Sequence, residues 1–71
     1  MDQHTVRFVF ITLIPGINVP YQIMGETIKI SENINPIKYY YSTMQPAHNE
    51  LFNKYKADHM WLDLIQYWYI D

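Results

Sequence analysis

Two groups of residues in this 71-residue chain have the types and spacing to do chemistry. The first is the run Tyr39, Tyr40 and Tyr41. Aromatic rings standing on a sheet can stack nucleic-acid bases, each stack contributing about 1–3 kcal/mol. Read as a strand, the run sends Tyr39 and Tyr41 to one face and Tyr40 to the other, so only two rings can share a platform. Arg7, Lys29 and Lys38 would supply flanking positive charge. Ordinary β-forming tyrosines with their hydroxyls in water are the favoured reading, with single-stranded nucleic-acid binding as the alternative.

The second group is His59 and Asp63, four residues apart, with His48 further up the chain. On a helix the pair shares a face. Histidine and carboxylate ligate zinc, but a structural site takes four ligands and this set is sparse and scattered. A solvent-exposed ion pair between His59 and Asp63 is the simpler expectation. As a general acid and base the same pair would need a pocket, and a chain with two glycines has little loop from which to build one. No glycine-rich phosphate loop, nucleophile turn, HExxH or EF-hand spacing occurs. The expectation is a protein that is not an enzyme and carries no cofactor or metal.

Composition narrows the partners. Five basic against seven acidic residues give a formal charge of −2, the wrong sign for a polyphosphate-binding surface. With no cysteine, disulfides, thiolate metal sites and thiol nucleophiles are excluded. The longest apolar run, residues 8–17, is about half a bilayer-spanning helix and is broken at Pro15-Gly16. It is a poor secretory signal too, because Asp2 stands where positive charge belongs. A soluble, cytoplasmic protein with no membrane contact is expected.

These residues must be held by one small domain covering residues 1–71. Residues 5–14, TVRFVFITLI, are β-branched and aromatic and read as a strand. Val6, Phe8, Phe10 and Ile14 share one face; the other begins polar at Thr5 and Arg7 and turns apolar at Val9, Ile11 and Leu13. That two-sided pattern suits a central strand, or one whose second face is covered. Residues 15–18, PGIN, carry turn chemistry. Residues 19–31 alternate as a second strand, with Pro20 near its start and Gly25 read as a bulge or second turn. Residues 31–36 read as a loop and 37–44, IKYYYSTM, as a third strand.

From Pro46 onward Leu51, Tyr55, Leu62, Ile65 and Tyr69 fall within one sector at 100° per residue, and no glycine or proline interrupts 47–71. The spacing predicts one C-terminal helix of roughly twenty residues. The expected architecture is α+β: a three-stranded antiparallel meander followed by a long C-terminal helix on one sheet face, β-β-β-α.

That helix would have more apolar surface than one small sheet can cover, with Ala57, Met60, Trp61, Leu64, Tyr67 and Trp68 in a second sector. Either the tryptophans wrap the sheet edge, or the chain bends after Gln66 and residues 67–70 pack separately, or the surplus forms an interface. Trp61, Leu64 and Trp68, with Tyr67 and Asp63 at the margin, are the candidate contact residues, since tryptophan and tyrosine dominate binding hot spots. The functional expectation is a protein-binding module serving as inhibitor, regulator or accessory subunit, with a structural homodimer as a further alternative. Proteins of phages and mobile elements that block host enzymes are often this small, which is a prior about size and not a signal in these residues.

Overall fold

A computed structural model describes residues 2–14, 21–55 and 59–71, with the backbone alone over 52–55. The expected PGIN turn, Pro20 and the helical positions Tyr55 (its side chain), Lys56, Ala57 and Asp58 fall outside what is described. The chain runs strand, strand, helix, strand. β1 (Gln3–Leu13) is central, β2 (Gln22–Ser31) pairs antiparallel on one side, and β3 (Met60–Tyr69) pairs antiparallel on the other. Between β2 and β3 lies a helical segment of three pieces: α1 (Pro36–Tyr39), a π-helical stretch (Tyr40–Met44) and α2 (Gln45–Tyr55).

The expected β-β-β-α order is therefore overturned. The third strand is residues 60–69, and the helix sits in the middle of the chain. The helix starts ten residues before Pro46. Asn35 is its N-cap: its Oδ1 accepts from the Ile37 N–H at 2.9 Å and the Lys38 N–H at 3.3 Å, and Pro36 occupies the first turn, where its missing N–H costs nothing. Pro46 cannot donate to a carbonyl one turn back and would crowd it. The π-helical stretch lies just before it, where the Gln45 N–H reaches five residues back to the Tyr40 carbonyl.

One sheet face and the helix make the core. Val6, Phe8, Phe10 and Thr12, alternate residues of β1, are fully buried, and Tyr40 and Met44, one helical turn apart, close over them with Ile30. Tyr40 lies 5.3 Å from Phe10 and 6.4 Å from Phe8, ring centre to ring centre. The middle tyrosine of the run is thus core, and because residues 36–44 are helical the third strand, on which the alternative of base stacking by Tyr39 and Tyr41 rested, does not form. Leu51 and Ile65, expected in the helix's core stripe, are exposed, as is Tyr69.

The opposite sheet face carries Thr5, Arg7, Val9, Ile11 and Leu13, and no described element lies over it. Gly25 is neither a bulge nor a turn, since the β1–β2 register runs through it without a shift. Arg7 lies over the glycine. Its Nη1 donates to Thr27 Oγ1 at 2.9 Å, and its guanidinium lies across position 25, where a Cβ would come within 2.5 Å of Nη2.

Folded domains are stable by about 0.05–0.15 kcal/mol per residue, or about 4–11 kcal/mol for this length. Truncating a buried phenylalanine costs about 3–5 kcal/mol. Phe10→Ala is accordingly expected to take most of the stability, read as a urea midpoint that collapses toward zero, whereas Ile34→Ala, on an exposed side chain, should leave it within about 0.5 kcal/mol.

Candidate functional site

β3 has one edge on β1 and one facing away, and the outward edge is where the chemistry of this protein collects. The side chains of the helical segment bond directly to that edge. Asn49 does so twice: its Nδ2 donates to the Trp61 carbonyl and its Oδ1 accepts from the Trp61 N–H, both at 2.9 Å. An amide side chain here stands in for a neighbouring strand. The Leu62 carbonyl accepts from the Tyr40 hydroxyl at 2.6 Å and from Gln45 Nε2 at 2.9 Å. His48 Nε2 lies 2.7 Å from the His59 carbonyl, and the Leu64 N–H donates to the Tyr41 hydroxyl at 3.0 Å.

Successive carbonyls at Trp61 and Leu62 both turn toward the helix, which a regular strand cannot arrange, because neighbouring residues bond on opposite sides. The β1–β3 register shifts twice, between Val9 and Phe10 and between Phe10 and Thr12, and these irregularities supply the extra turn.

Beyond Leu64 the capping stops. The Ile70 N–H donates to the Thr5 carbonyl at 2.9 Å, so Ile70 faces β1. By alternation Trp68 and Gln66, opposite Arg7 and Val9, face β1 as well, and the backbone groups of Tyr67 and Tyr69 point outward. Among the described residues these outward groups have no hydrogen-bond partner. Residues 64–70, LIQYWYI, hold no charge. The groove beside them, about 300 Å³, is lined by Ile37, Tyr41, Leu64, Ile65, Gln66 and Tyr67.

The structure separates the expected contact residues. Trp61 is half-buried, 4.4 Å from Phe10 and stacked on His48 at 4.1 Å and 11°. Leu64 and Tyr67 pack against the core while lining the groove. Trp68 points to the bare sheet face, 43% exposed, and Asp63 is exposed. They share no helical side, since residues 60–69 are extended. Four strand residues span about 13 Å, so the expected His59–Asp63 ion pair does not form. His59 Nε2 instead approaches Gln22 Oε1 at 3.1 Å. Among the described residues no three of His, Asp and Glu come together as a metal site, and no helix is long and apolar enough to cross a membrane.

Ile65 and Tyr69, expected in the core stripe of a helix, lie instead on this edge, as does the outward backbone of Tyr67. The signal available was the uncharged, β-prone run itself. Asn49, Gln45 and Tyr41, which cap the edge, carried no signal, because their role depends on a pairing 12 to 23 residues away.

Burial holds the Tyr40 hydroxyl well above its ordinary value of 10.0, with smaller contributions from Tyr41 and the Asp63 carboxylate. At the far end of β3, Asp71 is held below its ordinary value chiefly by the hydrogen bond its Oδ1 accepts from the Thr5 N–H at 2.9 Å, with His4 at 3.9 Å adding to it.

No protein-family model matches this chain, and no curated protein or solved structure shows significant similarity to it.

Asn49→Ala strips the Trp61 N–H and carbonyl of their shared partner. It is expected to cost about 2 kcal/mol in urea unfolding and to shift Trp61 fluorescence to the red as water reaches the edge. For Tyr40 the folded chain keeps a proton that the unfolded chain sheds near pH 10, so stability falls as pH rises past that value. Thermal melts between pH 7 and 11 should show that fall, and Tyr40→Phe should flatten it while costing about 1 kcal/mol at neutral pH, since Gln45 still bonds the Leu62 carbonyl.

Proposed function

We propose that this chain is a protein-binding module that takes a strand of another polypeptide along the bare part of β3, residues 65–70, with the adjoining groove receiving apolar side chains. The observation that carries the reading is the division of β3's outer edge. Helix side chains satisfy its backbone from His59 to Leu64, and the outward groups at Tyr67 and Tyr69 are left open beside exposed Ile65 and Ile70.

An open strand edge favours an extended polypeptide because the partner's own N–H and C=O groups complete the ladder, while pockets beside it select side chains. Edges not meant to pair are blunted with charge, proline or a covering element. Residues 65–70 hold neither charge nor proline, and among the described residues no side chain caps their outward backbone. Strand addition also replaces the helical contact face expected from the sequence, since those residues are extended. The size and the mild negative charge of the chain suit an inhibitor, regulator or accessory subunit that occupies a partner's surface.

A photo-crosslinking residue placed at Ile65, and separately at Ile34 in the exposed turn after β2, tests this in the cells that make the protein. Both side chains are exposed. A discrete protein adduct from position 65 and none from position 34 is expected. Equal, diffuse labelling from both positions, or none from 65, would count against protein binding at this edge.

A further inference from the structure

We infer that the strand received by β3 is β3 of a second copy of this chain, paired antiparallel about a two-fold axis at Trp68. This rests on the reading of residues 65–70 as a strand-accepting edge and names its occupant.

Three features of that edge are self-complementary. The first is backbone parity. The outward-facing residues are Tyr67 and Tyr69, two apart, with Trp68 between them facing β1. Two such strands run antiparallel with Trp68 opposite Trp68 bring Tyr67 of each copy against Tyr69 of the other. Each pair exchanges both its backbone bonds, so the outward donors and acceptors at these positions are all used. An isologous contact of this kind closes on itself and leaves no half-pair to propagate.

The second feature is charge. Antiparallel pairing about Trp68 sets Gln66 against Ile70 and Ile65 against Asp71, and no like charges meet along the paired residues. The outer edge of β2 is a poorer candidate. It presents Lys29 among its outward positions, carries Glu26, and has at Gly25 no side chain with which to pack a partner strand.

The third feature is the reach of the helix. The Leu64 N–H is already taken by the Tyr41 hydroxyl, so the helical segment caps the edge up to that residue. Pairing about Trp68 uses residues 65–71 and ends where the cap begins. The two sheets then become one, ordered β2-β1-β3-β3-β1-β2, with both helical segments on the same face. On the bare face the two Trp68 side chains stand across a non-hydrogen-bonded pair, where Cα atoms are about 4.5 Å apart and aromatic pairs gain most.

Sedimentation equilibrium on the purified full chain tests this between about 10 μM and about 1 mM, the range expected of an interface smaller than the standard of about 1,600 Å². The mass should climb from 8.6 kDa toward twice that value and stop. Tyr69→Pro deletes an N–H that points away from β1, and proline is tolerated where a strand's N–H faces outward. It should hold the chain monomeric across the range, whereas Tyr69→Val, which trims the same side chain and keeps the N–H, should dimerise. Should the proline variant fail to fold by circular dichroism, Trp68→Glu decides the matter, since a carboxylate there faces Arg7 of its own chain. The Trp68 side chain is outside the core, and pairing would set two carboxylates face to face.

A wild-type chain monomeric to 1 mM would overturn the inference, and so would a Tyr69→Pro or Trp68→Glu variant that still dimerises, or a mass that grows past two copies. Monomeric behaviour together with a heterologous adduct at position 65 would remove the second copy and leave the strand-accepting edge standing. Loss of that adduct as well would remove both.

Discussion

The structure depends on one constraint: a backbone N–H or C=O shielded from water must find a partner. β3 enters the sheet after the helical segment, and its outer edge lies directly under that segment from His59 to Leu64. Left bare there, each polar group would cost about 1–3 kcal/mol. Asn49, Gln45, Tyr40, Tyr41 and His48 supply the partners, so the helix is joined to the strand by hydrogen bonds as well as by packing. The register shifts in β3 turn its carbonyls toward those side chains.

Everything else is arranged around that seam. Tyr40 acts in both roles, its ring in the core among Phe8, Phe10 and Trp61 and its hydroxyl on the Leu62 carbonyl. Trp61 is fixed from three sides, by Phe10, by the His48 ring and by Asn49 on its backbone. The same seam sets the limit of what is covered. The helical segment is too short to follow β3 to its end, so the sheet has an edge of two kinds, and the bare face opposite the helix runs on to Trp68 and Arg7. The surplus of apolar side chains evident in the composition is therefore split between a tightly tied core and a strand end that is left open.

The first two strands were legible because β-branched and aromatic residues are dense there and because β1 puts Val6, Phe8 and Phe10 on one face. The rest was misread for reasons that can be named. Asn35-Pro36 is a helix start that reads locally as the end of a loop, because the run behind it, residues 37–44, is rich in β-forming residues. In residues 60–69 a chance spacing of Leu62, Ile65 and Tyr69 imitated a helical stripe, while the density of tryptophan, tyrosine and isoleucine was the better guide. The geometry of the aromatic residues differs for the same reason: Trp61 and Trp68, on one side of a helix, lie on different sides of a strand with two irregularities between them. Asn49 and Gln45 could not have been recognised at all, since nothing local marks a side chain that will cap a strand later in the chain.

Residue-resolved amide exchange on a dilute sample tests the divided edge most directly. The account predicts that Trp61 and Leu64, outward but capped, exchange slowly, that Gln66, Trp68 and Ile70, bonded to β1, also exchange slowly, and that Tyr67 and Tyr69 between them exchange fast. Uniform protection from 60 to 70, or fast exchange at Trp61 and Leu64, would contradict it.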